Sequence, residues 1–525
     1  MLHRTSLAAL GLLALASRPA SAQLAPAGVA KGTVRIDLRG EFQSVSSRYL
    51  HGTKEEYLAD FASPALGADR FAAVRAADSL IALIVGATGN RINLGRTTAV
   101  GQRVTGTATI GVSLGLTSRL TVFANLPLVE TRVQARVTVD SSTALAGLNP
   151  AHPTLGTAAG QADAARFFQH FTAALDTLNG RIASGFYSGP QDALARAIAA
   201  RGTAVQAALL QLLSDPLAAS PFLPTDTSAA GRAIAGAIAG LQDTLQNQLG
   251  VAGFTDQPVL AAAPLTTAQY QAVLTDPRGP VAGAPLAAPT LQRLGDIDVG
   301  ATYTLVDRWD RGRRWGGIRI ALTGLVRFPT GQRDSPNNFL DTGTGNGRYE
   351  AGASAIVDLG RGRPGARLAG GYLARLPARR VRRVAPPGEP IAFLDRLTNV
   401  RIDAGDVLTL RVQPFLRLAR GFAIQGTAEY WRQGSDVVTY FRSSDSIPGV
   451  AASVLGRQSS RSALVLGAGV SYVGRSAFEC EPGRKCGLPI EAGWTWSTVA
   501  RATGGRVDKA RVTALEIRWY HRLWR

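Results

Sequence analysis

Apolar and polar residues alternate one by one over long stretches of this chain, which is the period of a β-strand. In residues 103–117 the even positions, such as Val104, Ile110 and Leu116, are apolar or glycine, and the odd positions are polar or glycine. Residues 33–44 divide in the same way, with charged side chains opposite the apolar ones. A soluble β-sandwich also alternates, but a charged face opposite an apolar face favours strands with lipid on one side and water on the other.

This alternation predicts a series of strands along the chain. They span residues 33–44, 102–117, 120–138, 294–307, 318–331, 349–360, 366–378, 404–419, 422–440, 461–475, 489–502 and 510–524. Their number is even, as in single-chain bacterial outer-membrane barrels, whose two chain ends lie on the periplasmic side. Short connections alternate with long ones such as 45–101 and 139–293, which predicts periplasmic turns and outer loops. The predicted fold class is therefore all-β, a transmembrane antiparallel β-barrel of about 12 strands.

Residues 139–293 interrupt the alternation with an Ala-rich sequence of helical period. Predicted helices span residues 160–180, 190–213, 228–248 and 266–275, with N-caps at Thr227-Ser228 and Thr266-Thr267. One apolar stripe, which needs to be buried, consists of Phe167, Phe168, Phe171, Leu175 and Leu178. By strand parity this insertion leaves the barrel at the outer rim, where we expect a lid over the mouth or a plug in the lumen. A separate helical bundle that packs only on itself is the alternative.

The N-terminus has the parts of a secretory signal in order: Arg4, an apolar run over residues 7–16, and small residues up to Ala22. The apolar run is about ten residues, whereas a helix needs roughly 20 to span a bilayer. We therefore expect a signal peptide at 1–22 that is cleaved after Ala22, and an uncleaved anchor is the alternative. Residues 23–138 then carry barrel strands 1–3, residues 294–525 carry strands 4–12, and the mature chain is expected in the bacterial outer membrane.

Composition adds two expectations. The net charge is +20, but almost all of it is arginine spread thinly along the chain, so nucleic-acid binding is not predicted. The only two cysteines, Cys480 and Cys486, lie close together, and an oxidising periplasm favours a disulfide between them. Two free thiols are the alternative.

Two groups of short motifs resemble a known family. Residues 115–122 read GLTSRLTV and residues 125–129 read NLPLV, which is similar to a hairpin of the bacterial outer-membrane barrels labelled by phenol meta-pathway degradation. LGDIDV at 294–299, FPTG at 328–331 and DTGTGNG at 341–347 also resemble that family. The resemblance covers residues 100–138 and 294–360. It implies porin-like or transporter passage of small hydrophobic or amphipathic molecules, without naming a cargo. The other hypothesis is a structural or surface-binding barrel whose helical insertion engages a partner.

The candidate functional residues are the charged side chains on the polar phase of the predicted strands, which would line the lumen. They are Arg35, Asp37, Arg39, Glu41, Arg319, Arg327, Glu350, Asp358, Arg411, Arg417, Glu429, Glu491 and Arg518. Both signs of charge are well represented on this phase. We therefore expect interlocked ion pairs rather than the one-signed ring of a strongly ion-selective pore.

A basic run lies by strand parity at the outer rim. Arg379, Arg380, Arg382 and Arg383 are predicted to contact phosphates of outer-membrane lipid or lipopolysaccharide, because guanidinium groups match phosphate geometry. A solvated loop is the alternative. Barrel-assembly machinery and a small hydrophobic cargo are the other expected partners.

Catalytic chemistry is not predicted. After cleavage four histidines remain, His51, His152, His170 and His521, and none lies in a lipase-type motif with a serine or an aspartate. The DTGTGNG segment lacks the closing acidic ligand of a calcium loop, so a turn at the rim is predicted there. No cofactor and no metal is expected.

Overall fold

The structure is a computed structural model. It describes residues 28–216, 218–279, 281–284, 291–310, 316–386, 394–419, 421–474 and 490–524. The predicted signal peptide and the predicted disulfide between Cys480 and Cys486 lie outside the described residues.

Antiparallel strands, each hydrogen-bonded to the next along the chain, close into one barrel. They are β1 (Thr33–Val45), β2 (Arg96–Gly115), β3 (Leu120–Asp140), β4 (Ile297–Asp310), β5 (Gly316–Phe328), β6 (Glu350–Arg361), β7 (Pro364–Arg375), β8 (Val407–Ala419), β9 (Phe422–Gln433), β10 (Arg461–Val473), β11 (Ile490–Gly504) and β12 (Arg511–Arg522). The first and last strands pair from Thr33↔Arg522 to Ser44↔Arg511, which closes the barrel. The predicted 12-stranded barrel is confirmed, and each predicted strand overlaps an observed one.

The two faces of each strand meet different surroundings. Large apolar side chains on the outward face stay exposed, for example Leu38 (50%), Leu410 (51%) and Leu515 (53%). Their neighbours along the strands, such as Arg411 and Glu516, are buried on the inward face. A continuous apolar exterior is costly in water, whereas hydrocarbon accommodates it without cost.

The β2–β3 hairpin is longer than the strands beside it. Val45, at the outer end of β1, pairs with Arg103, so the first residues of β2 project beyond the rim. They stay paired with the end of β3, from Arg96↔Asp140 onward. This projecting part of the hairpin is the platform on which helices pack.

Helices from two outer connections form a helical cap. They are α1 (Ala72–Val85), α2 (Ala158–Ala183), α3 (Pro190–Leu213), α4 (Ala229–Asp243, continued by a π-helical turn) and α5 (Thr267–Thr275). The predicted N-caps are present: the Ser228 and Thr266 side chains each accept a hydrogen bond from the first turn of their helix. Helix α1, in the 45–101 connection, was not predicted. Helix α1 is joined to the cap by Arg201 of α3. The Arg201 side chain donates hydrogen bonds to the carbonyls of Leu83 and Ile84 in the last turn of α1.

One hydrophobic core joins the cap to the hairpin. Phe167, Phe171, Leu175 and Leu178 of the predicted stripe are buried in it, and Phe168 is partly buried. The same core contains Ala99, Val133, Val137 and Val139, which lie on the inward phase of the projecting hairpin. The helices therefore do not pack only on themselves; they rest against the inner side of the barrel wall where it extends past the rim.

A second small structure stands on the opposite side of the mouth. Strands Ala378–Arg383, Leu397–Asp403 and Val437–Tyr440 pair as a three-stranded rim sheet. Its core contains Val384, Val400, Ile402, Val438 and Ala452. Among the described residues, no helix is both long and apolar enough to cross a bilayer.

Candidate site in the barrel lumen

The charged residues predicted to line the lumen all stand on the inward phase of the barrel strands. Many of them take part in three groups of ion pairs, two in the periplasmic half of the barrel and one nearer its outer end.

The first group crosses the seam at which the barrel closes. Arg518 of β12 lies 2.7 Å from Glu516, 3.1 Å from Asp37 of β1 and 3.8 Å from Glu491 of β11. Arg35 also pairs with Asp37, at 3.0 Å. The seam cluster therefore ties three neighbouring strands together through buried charges.

The second group lies on the other side of the lumen. Asp358 of β6 accepts a hydrogen bond of 2.6 Å from Arg367 of β7 and lies 3.4 Å from Arg319 of β5. Arg319 also pairs with Asp307, and its guanidinium lies over the Trp309 ring at 5.2 Å. These two groups place side chains of both signs in the periplasmic half of the lumen.

The third group lies nearer the outer end. Arg327 of β5 pairs with Asp298 at 2.7 Å and with Glu350 at 2.8 Å, and all three side chains are buried. Arg411 pairs with Glu429 between β8 and β9, and Arg39 pairs with Glu41 on β1. In the described part of the barrel these inward charges alternate in sign, which is unlike the one-signed ring of a strongly selective pore.

A cavity of about 440 Å³ lies inside the barrel between these groups. Arg39, Arg411 and Thr427 contribute polar atoms to its wall. The sequence interpretation missed the apolar part of the wall, which consists mainly of Leu325, Ile356, Leu373, Trp431, Val465 and Val499. These residues occupy the polar phase of their strands, and an apolar residue in that phase is the signal that could have found them.

The periplasmic end of the lumen is narrowed by the chain that precedes β1. Val29 is buried, and its backbone N–H donates to the inward-facing Thr121 hydroxyl at 2.8 Å. The Ala30 carbonyl lies so close to Gly115 that a Cβ there would stand 2.1 Å from its oxygen. Glycine in the GLTSRLTV motif thus makes room for residues 28–30 against the inner wall.

The basic run at the rim does not form one surface. Arg379 lies on the exposed side of the rim sheet, over the Phe441 ring at 4.4 Å, and bonds to Asn399. Arg382 pairs with Asp334 at 2.8 Å, and Arg383 donates to the Val281 carbonyl at 2.6 Å. Arg380 points inward and is buried.

The DTGTGNG segment and His170, which the sequence offered as candidates for metal binding or catalysis, make ordinary contacts within the fold. Asp341 accepts backbone hydrogen bonds from Ser335 and Gly343, so the DTGTGNG segment forms a turn. His170 Nδ1 lies 2.6 Å from Asp256 Oδ2, and no serine of the described chain bonds to either side chain. The described ranges contain no group of three or more histidine, cysteine, aspartate or glutamate residues that could hold a metal ion.

No known protein family and no curated protein matches the chain. Solved barrels are similar in fold. An outer membrane channel from Pseudomonas putida F1 is 8% identical, with a TM-score of 0.41 over 95% of this chain and 100% of that one. A variant of the TodX monoaromatic hydrocarbon channel is 10% identical, with a TM-score of 0.30 over 96% and 93% of the two chains. The translocator domain of NalP from Neisseria meningitidis is 7% identical, with a TM-score of 0.28 over 94% and 89%. All three TM-scores lie below 0.5, so these likenesses identify neither a family nor a cargo.

Proposed function

We propose that this protein is an outer-membrane conduit for small hydrophobic or amphipathic molecules. The observation that carries the proposal is the cavity of about 440 Å³ inside a closed barrel. A cavity of this size suits a small organic molecule. Its wall offers apolar patches such as Leu325 and Leu373 beside arginines such as Arg39 and Arg411. This mixture suits a solute with an apolar body and a polar end.

The outward face of the barrel supports a place in the outer membrane. Leu38, Leu410 and Leu515 are exposed on it, and single-chain barrels with such an apolar band are characteristic of that membrane. The two groups of motifs support membership of the phenol meta-pathway degradation type: GLTSRLTV and NLPLV lie in the β2–β3 hairpin, and FPTG and DTGTGNG meet at the rim, where Gly331 lies against Gly345. We further propose that Arg379, on the exposed side of the rim sheet, contacts a lipid phosphate.

Transport in reconstituted vesicles tests the proposal. Purified protein in vesicles with a lipopolysaccharide outer leaflet, which slows the direct entry of apolar solutes, should admit a small apolar fluorescent amine, N-phenyl-1-naphthylamine, faster than protein-free vesicles of the same composition. It should admit a charged disaccharide sulfate poorly, because paired charges narrow the lumen in both halves. Equal uptake of the amine with and without protein contradicts the conduit.

A second candidate function is a surface-binding barrel whose cap engages a partner. The observation in its favour is Phe186, which is 66% exposed at the tip of the cap between α2 and α3. A capped barrel that binds a partner would keep this function even if its lumen never opened.

Removal of the cap tests whether the cap closes the mouth of the barrel, as a gate, or only binds a partner, as a surface module. Deleting residues 150–285 removes α2–α5 but leaves α1 without its partner α3, so α1 must be removed as well. Leu94 N–H donates to the Leu66 carbonyl at 2.8 Å, so a short glycine linker can replace residues 67–93. We expect the barrel to assemble, because long insertions at a rim are tolerated where the flanking strands stay paired.

The double deletion should raise single-channel conductance in planar bilayers severalfold, because the mouth is uncovered. Heat-modifiable migration on gels is the control for assembly. An assembled barrel whose conductance equals that of the full chain contradicts a gating cap and favours the surface module.

A further inference from the structure

Three guanidinium groups converge around Gly347 at the outer mouth. Arg380 reaches it from the inward side of the rim sheet, Arg348 from the segment before β6, and Arg333 from the loop after β5. A Cβ at Gly347 would lie 2.7 Å from Arg380 Nη1 and 2.8 Å from Arg333 Nε. Both side chains therefore approach Gly347 more closely than a Cβ would allow, and their cationic groups lie close together beside it.

Part of this cluster is buried without hydrogen-bond partners. Arg380 is only 5% exposed, and within the described part of the chain its Nε and Nη1 atoms have no acceptor. The same holds for Nη1 of Arg348. Buried polar atoms are usually satisfied, and a buried charge without a counter-charge is costly. Some acceptor is therefore needed at this place.

The nearby carboxylates are already engaged. Asp334 accepts a hydrogen bond of 2.9 Å from Arg382 and lies 2.8 Å from its other terminal nitrogen. Glu350 pairs with Arg327 and Arg375. Asp436, whose charge also acts on Arg348, accepts hydrogen bonds from the Gly405 N–H and the Gln433 side chain. Burial, followed by the charge of Arg382, lowers the pKa of Arg380 to about 10. Burial and the charge of Arg375 lower the pKa of Arg348 as well. Positive charge thus predominates around Gly347, and an anion would relieve it.

We propose that Arg333, Arg348 and Arg380 bind a phosphate group, carried by a solute or by a lipid headgroup, at the outer mouth. Guanidinium groups approach from three chain segments, and a phosphate offers oxygens in more directions than the two of a carboxylate. Arg380 points away from the exposed side that carries Arg379, so a phosphate bound by Arg380 is separate from any phosphate bound on that exposed side. This site adds a polar recognition step to the conduit, but its ligand binding does not depend on whether the lumen conducts.

Inorganic phosphate is the ligand used to test the site. The full chain in detergent is titrated with phosphate, against sodium chloride of the same ionic strength, and binding is followed by calorimetry and by thermal unfolding. Phosphate should stabilise the wild type, because a ligand that binds only the folded state raises its stability. Arg380→Gln should weaken phosphate binding at least about tenfold, since hydrogen bonds to charged groups are strong.

Arg379→Gln is the matched control, because it removes a neighbouring guanidinium on the exposed side of the same strand. It should leave phosphate binding unchanged. If Arg380→Gln does not assemble, Arg333→Gln replaces it, because the Arg333 side chain is exposed and its loss is not expected to prevent folding. The proposal is overturned if the wild-type protein does not bind phosphate and carries no lipid phosphorus. It is also overturned if Arg380→Gln and Arg379→Gln bind phosphate equally well.

Lipid phosphorus that co-purifies after detergent exchange identifies the source of the phosphate group. A loss of this phosphorus in Arg380→Gln but not in Arg379→Gln supports the same site, occupied by a lipid headgroup. An equal loss in both variants places the lipid on the exposed side and counts against the site. All these readouts are obtained without a membrane. A failed uptake assay would therefore contradict the conduit but not the phosphate site, and failed phosphate binding would contradict the site but not the conduit.

Discussion

Replacing Arg518 with methionine should lower the free energy of unfolding by about 3–5 kcal/mol, because it leaves buried carboxylates without their cation. Glu516, Asp37 and Glu491 all lie within 3.8 Å of this guanidinium. All three acidic side chains are at most 15% exposed, so water screens them poorly. The loss also falls at the seam between β1 and β12, which the chain must form to close the barrel.

Urea unfolding in detergent, followed by heat-modifiable migration on gels, measures this loss. Arg522→Met is the matched control: Arg522 lies on the same phase of the same strand but is exposed, so its replacement should change stability by no more than about 0.5 kcal/mol. Adding Glu516→Gln to Arg518→Met should restore part of the stability, since it removes one of the stranded charges. Equal stability of the Arg518 and Arg522 variants would show that the seam cluster does not hold the barrel closed.

Strict alternation predicted the barrel because a spanning strand has lipid on one face and a polar lumen on the other. The prediction weakens where that difference disappears. β2 was predicted to begin at residue 102 and begins at Arg96, because the inward residues Thr97 and Ala99 are buried under the cap rather than facing a polar lumen. From Thr97 to Gly101 the inward phase therefore carries no charged side chain, whereas Arg103 marks it further along the strand.

The additions at the outer rim depend on contacts between distant parts of the chain. Helix α1 has an apolar stripe, including Val74, Ile81 and Ile84, but its burial depends on helices more than a hundred residues away. The rim strand Ala378–Arg383 is strongly basic, and its partner Leu397–Asp403 follows only after the long connection 384–396, so no short hairpin turn marks the pairing. Sequence spacing alone therefore left both segments as loops.

For the lumen, the sequence predicted only which charged residues face inward. Parity assigns a charged residue to the inside, and Arg35, Arg327 and Glu429 do lie on inward faces. Parity does not tell which side chains meet across the lumen or whether they leave space between them. The cavity with its apolar patches is a property of the closed barrel, so only the structure reveals it.

The central claim is that solutes cross through this cavity, and two adjacent glycines of β7 allow a direct test. Gly371 faces the cavity, where a Cβ would make only ordinary contact with Ser354. The backbone of Gly370 also borders the cavity, but a Cβ on it would point outward and meet Leu410, which is exposed on the outer surface. Gly371→Trp thus places the largest side chain in the cavity, and Gly370→Trp places the same side chain outside the barrel wall.

The decisive measurement is uptake of the apolar amine by the same lipopolysaccharide-containing vesicles carrying either variant, after heat-modifiable migration has verified assembly. A conduit through the cavity predicts that Gly371→Trp lowers uptake close to the protein-free rate, while Gly370→Trp keeps the wild-type rate. Wild-type uptake by both assembled variants would contradict passage through the cavity.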